Sequence, residues 1–167
     1  MSKGNRSLQL IERINTLPNP ICNRLLTLFA RKTVHLLNTT QTSIDSWDQS
    51  HCKVSLQNRK RVQNHIGSVH AAAQIMLCET ATGLLLSLSL PEQTTQVVKS
   101  IETDFVKRAK GDLIAIATMD PSLIELAQSK VEGEIVIPVA LYDEEESNPI
   151  ECKITWAWRK PRPKQSK

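Results

Sequence analysis

The chain has 167 residues, 40% hydrophobic and only 4% aromatic, which fits one globular domain whose core rests on Leu, Ile, Val and Ala. Its net charge of +4 does not form a stripe: the excess lies at the termini and in two clusters, Arg59-Lys60-Arg61 and Lys107-Arg108 with Lys110, opposed by an acidic run at 143–146. That distribution argues against a nucleic-acid-binding surface, and without a continuous apolar leader the expected location is the cytoplasm.

Apolar residues recur at helical spacing over 8–17 and 21–37, separated by Pro18-Asn19-Pro20, so two N-terminal helices are expected. Residues 44–57 turn polar and alternate, with Cys52, Val54 and Leu56 against Lys53, Ser55 and Gln57, which reads as the first strand. A long helix follows over 71–90 and ends at Pro91. The remainder reads as strands at 96–107, 112–119, 133–142 and 151–158. Gly111 marks a tight turn between the first two of these, and 143–149 a polar connection between the last two. Asp120-Pro121-Ser122 leads into 123–129, either a short helix or an excursion before the sheet resumes. The expected division is a helical extension at 1–43, one α+β domain at 44–160 and a basic, disordered tail at 161–167.

The four cysteines, Cys22, Cys52, Cys78 and Cys152, have no CxxC spacing, so neither zinc nor disulfides are indicated and no metal or organic cofactor is expected. Residues 71–90 approach the roughly 20 residues of a membrane span. However, Gln74 and a central Glu79 oppose insertion, the acid alone by about 2.5–3.5 kcal/mol. A helix wrapped by its own protein, without stable membrane insertion, accounts better for the composition.

Glu79 is the residue that most needs a reason. An ionised carboxylate among aliphatic neighbours must find partners or shift its pKa upward, and active sites commonly hold such groups. On a helix, Met76, Thr82, Gly83 and Leu86 share its face, so an apolar slot with one hydroxyl is expected beside the acid. Just before the helix runs Asn64-x-x-Gly67-x-x-His70, with Glu79 nine residues beyond the histidine.

This arrangement resembles the hotdog fold, an antiparallel sheet wrapped around a long central helix, and specifically its phenylacetyl-CoA thioesterase-like branch. The resemblance covers roughly residues 44–158 and rests on Asn64, Gly67, His70, Glu79, Gly83 and the run 104–111. His70-Ala71-Ala72 departs from the His-Gly-Gly usual there, although backbone donors survive the change. The resemblance implies a thioesterase in which the Ala71 N–H polarises the thioester carbonyl, Glu79 activates water or attacks, and Asn64 orients a reactant, with Gly67 and His70 supporting the loop. Coenzyme A would enter only as part of the substrate, and Arg59, Lys60, Arg61, Lys107, Arg108 and Lys110 are candidates for its phosphates. A non-catalytic acyl- or acyl-CoA-binding module is the alternative.

About 1.5 Å per residue separates His70 from Glu79 by about 13 Å, too far for one catalytic pair within a chain. Two antiparallel copies would bring the Asn64 loop of one toward Glu79 of the other, so a homodimer or a tetramer is expected, in keeping with the resemblance.

Overall fold

A computed structural model describes residues 5–160. The expected tail at 161–167 lies outside them. In chain order the elements are α1 (Arg6–Asn15), α2 (Asn19–Thr33), α3 (His35–Thr40), β1 (Ser43–Trp47), β2 (His51–Leu56), α4 (Ala71–Ser87), β3 (Thr95–Phe105), β4 (Leu113–Thr118), α5 (Pro121–Ser129), β5 (Gly133–Val136), β6 (Val139–Asp143) and β7 (Ile150–Arg159). A single 3-10 turn, Lys60–Val62, precedes the loop that leads into α4.

The strands form two antiparallel sheets, ordered β1-β2-β4-β6 and β3-β7-β5, which adjoin where β6 meets β7. Alternation along β2, β4 and β7 turns one side chain in two toward the inside, where α4 lies against β2, β4, β6 and β7. Leu77, Ala81, Leu85 and Leu86 of α4 are fully buried there. Two tryptophans fasten the helix to the strands: Trp47 Nε1 donates to the Leu84 carbonyl at 3.0 Å and Trp156 Nε1 to Thr82 Oγ1 at 2.9 Å.

The N-terminal helices close the other side. Asn5 caps α1 through its side-chain oxygen, while its Nδ2 donates to the carbonyls of Ser87 and Leu90 at the end of α4. Thr27 of α2 accepts the Ile44 N–H at 2.9 Å, and Asn15 reaches the Trp47 carbonyl. No helix among the described residues is long and apolar enough to cross a membrane.

The chain departs from the expected elements in specific places. The helix expected over 21–37 breaks at Val34, whose φ of −119° is extended, giving three N-terminal helices instead of two and turning Leu37 into the core. The strand expected over 44–57 is a hairpin. Asp48 Oδ1 accepts the amides of Ser50 and His51 and reverses the chain between β1 and β2. The central helix stops at Ser87 instead of Leu90.

The span 133–142 holds two strands in different sheets, because Pro138 lacks the donor that continuous pairing requires. Gly111 has a φ of +63°, but it does not join paired neighbours: β3 pairs with β7, and β4 with β2 and β6. The open segment after Asp120 is helix α5, capped by the Asp120 side chain on the Leu123 amide.

Gly83 lets the helix and sheet approach closely, since a Cβ there would sit 2.8 Å from ring atoms of Trp156. Gly83→Val is therefore expected to lower stability by about 1–3 kcal/mol through overpacking. Urea denaturation measures this, and an unchanged midpoint would show that the indole has room to move.

Candidate active site

Glu79 sits midway along α4, half-buried, on the wall of a cavity of about 190 Å³ between the helix and the N-terminal extension. Phe29, Thr33 and Val34 from the extension, Trp47 from β1, Gln96 from β3 and Trp156 from β7 also line it. The carboxylate has no hydrogen-bond or ion-pair partner among the described residues, and burial alone pushes its pKa above the ordinary glutamate value. Gln96 contributes a second unsatisfied group: its Nε2 donates to the Gly83 carbonyl at 2.9 Å, while its buried Oε1 has no partner.

The Asn64 loop is rigidly built. Asn64 Oδ1 accepts the amides of Ile66 and Ser68, both at 3.1 Å, and the loop turns at Gly67 with a φ of +76°. His70 caps α4, its Nδ1 accepting the Ala72 N–H at 3.0 Å, while the Ala73 and Gln74 amides share the His70 carbonyl. The Ala71 amide is left without an acceptor among the described residues, at the positive end of the helix dipole. Geometrically, that amide is available to a developing oxyanion.

Ala71 and Glu79 lie about 12 Å apart along the helix axis. They do not share a cavity. The helix start borders a second hollow of about 290 Å³, lined by Leu36, Arg61, Gln63, His70, Ala72 and Met76 among others. Met76 thus belongs to the second hollow, and only Gly83 of the expected slot residues lines the first. Thr82 and Leu86 line neither, being fully buried in the core. The Thr82 hydroxyl serves the helix–sheet junction, donating to the carbonyls of Cys78 and Glu79 and accepting from Trp156.

The basic residues also divide. Arg108 is a loop clamp, Nε to Ser68 Oγ at 2.8 Å and Nη2 to the Ile66 carbonyl at 2.7 Å, so two of its five donors hold the loop. Lys110 pairs with Glu145 at 2.8 Å. Arg59 binds the Gln57 side chain and Arg61 the Thr39 carbonyl, whereas Lys60 and Lys107 are exposed. No cluster of three or more His, Cys, Asp or Glu groups suited to a metal ion occurs among the described residues.

Sequence reasoning missed Phe29, Trp47, Gln96 and Trp156 as neighbours of Glu79. In a chain with three tryptophans and two phenylalanines, the sparse aromatics were a usable signal for where large rings gather.

Because its pKa is raised in the folded chain, ionised Glu79 opposes folding above that raised pKa. The penalty vanishes as pH falls below the ordinary value of 4.5. Glu79→Gln is expected to raise the denaturation midpoint at pH 7 and to lose that advantage near pH 4. Denaturation curves at both pH values measure this, and a variant less stable at pH 7 would contradict it.

A family described as "Domain of unknown function (DUF4442)" matches residues 22–158. No curated protein matches the chain. Among solved structures, the chain is similar to PA5026 of Pseudomonas aeruginosa, a protein of unknown function described as a "Probable Thioesterase", with a TM-score of 0.72 and 22% identity over 86% of this chain and 96% of that one. It is also similar to thioesterase HI1161 of Haemophilus influenzae, with a TM-score of 0.66 and 16% identity over 90% and 96% of the two chains. A mutant of thioesterase SAV0944 of Staphylococcus aureus gives a TM-score of 0.65 and 21% identity over 75% and 99%. These hotdog-fold neighbours share the wrapped-helix architecture described above, and the chain belongs to the DUF4442 family with that fold.

Proposed function

We propose that the protein is a cytoplasmic acyl-CoA thioesterase whose site is shared between two copies of the chain. The observation that carries this reading is the unpartnered, half-buried Glu79 carboxylate on the wall of a largely apolar cavity. A structural acid would be expected to have found donors. The thioesterase descriptions of the structural neighbours fit the same reading.

In the proposed reaction Glu79 takes a proton from water as the water oxygen bonds to the thioester carbon. The Ala71 N–H of the second copy receives the oxyanion, with the Asn64 side-chain amide nearby to orient the reactants. Collapse of the tetrahedral intermediate breaks the C–S bond, and the proton passes to the departing thiolate, leaving a free acid and a thiol. Arg59, Lys60, Arg61 and Lys107 are the cations proposed for coenzyme A phosphates.

Two copies are required because about 12 Å separates the helix start from the acid within one chain. β3 offers a surface for pairing: it is eleven residues long, pairs only with β7, and exposes Val97, Ile101 and Phe105. A long unpaired edge of this kind accepts another strand. Val97→Lys with Phe105→Lys is expected to convert the dimer to monomer and remove activity together. Light scattering on a sizing column reads the mass, and an unchanged mass would place the interface elsewhere.

Glu79→Gln is expected to slow thiol release from acyl-CoAs by about 10²–10⁴-fold. Ala71→Pro removes one N–H at the first helical position, where proline is tolerated, and His70 already has the extended ψ of 143° that precedes proline comfortably. It is expected to cost about 10²–10³-fold in kcat with the fold intact. Mixing the two inactive variants should regenerate one complete site per heterodimer. Rates equal to the unsubstituted chain would sink the mechanism, absence of rescue would sink the shared site, and tight acyl-CoA binding without thiol release would identify a binding module.

A further inference from the structure

Half of the large apolar side chains exposed among the described residues lie between positions 10 and 36. On α2 they form a line. Ile21, Leu25 and Leu28, followed by Lys32, recur every three or four residues on one face, while Cys22, Leu26 and Ala30 fill the core from the opposite face. Ile21 is 52% exposed, Leu28 56%, and Leu36 of α3 53%.

The charge of this region is equally one-sided. Residues 1–40 carry six Lys and Arg against the single carboxylate of Glu12, so their net +5 exceeds the +4 of the whole chain. Arg13, Arg24 and Lys32 are exposed, and none donates a hydrogen bond or ion pair among the described residues. A second copy seated on this face would bring like charges together, and the stripe holds only Leu and Ile, without the Trp or Tyr anchors common in protein–protein hot spots. An aliphatic stripe bordered by cations is instead the pattern of a helix lying in a bilayer interface.

We infer that the α2 face is a docking surface for an anionic lipid bilayer, with Ile21, Leu25 and Leu28 entering the acyl boundary and Arg24 and Lys32 meeting lipid phosphates. Thr33 and Val34, at the end of the same helix, line the Glu79 cavity. Docking would therefore bring the cavity close to lipid, a consequence that rests on the thioesterase reading, whereas docking itself does not.

Flotation of the full chain with vesicles tests this. The protein is expected to rise with vesicles of mixed phosphatidylcholine and phosphatidylglycerol, and at least about tenfold less with phosphatidylcholine alone or in high salt. Ile21→Glu with Leu28→Glu, and separately Arg24→Glu with Lys32→Glu, are expected to lose at least about tenfold of that binding. Both pairs are exposed, and circular dichroism checks that the fold is kept. No flotation of the unsubstituted chain, or equal flotation of the variants, overturns the inference. A drop in oligomer mass in the stripe variants without vesicle binding by the unsubstituted chain assigns the face to self-association and overturns it as well. Thiol release from a soluble short-chain acyl-CoA, read in parallel, reports on the thioesterase reading independently of flotation.

Discussion

A helix that is apolar around its whole circumference has no face that can be left to water, and the rest of the structure is arranged to cover α4. Leu77, Leu84, Leu85 and Leu86 alone supply on the order of 10 kcal/mol of transfer free energy as an upper bound. The two sheets cover one side, the N-terminal helices another, and the Asn64 loop fixes where the helix begins. The extension is thus a wall of the core, held by Asn5 at one end of α4 and by Thr27 and Asn15 at β1.

Coverage is incomplete beside Glu79, and a comparison with another acid shows what that means. Asp143 is also buried. Burial alone would raise its pKa, but the backbone amides of Ser147, Lys110 and Glu145 hold it below the ordinary aspartate value. Glu79 has no such donors, so desolvation is unopposed. The same chain therefore contains an acid whose environment stabilises its charge and one whose environment raises its basicity, and the second lines the cavity between α4 and the extension.

The long helix, the Asn64 loop and the alternating strands were legible because each follows local periodicity or turn chemistry. What escaped was set by tertiary context. The span 133–142 reads as one strand, yet Pro138 marks where the chain passes from one sheet to the other. Thr82 shares a helical face with Glu79 in projection, but the Trp156 indole occupies that side and takes the hydroxyl into the core. Arg108 looked like a free cation because its acceptors, Ser68 and the Ile66 carbonyl, are forty or more residues away.

The N-terminal helices show the limit of periodicity most clearly. In α2 the apolar residues include both Ile21, Leu25 and Leu28 and, one or two positions away, Cys22, Leu26 and Ala30. Helical spacing scores both sets alike, although the structure buries only the second. An amphipathic helix needs one apolar face to pack, so a second face is surplus to folding and carries a desolvation gain unused within the chain. The exposed side of β3 is surplus in the same sense. The two surfaces differ in what they can accept: an open strand edge has backbone groups that need water or another strand, whereas a helix has already satisfied its own and can meet a medium with no backbone to offer. That difference suits the sheet edge to a strand-bearing partner and the cationic helix face to lipid.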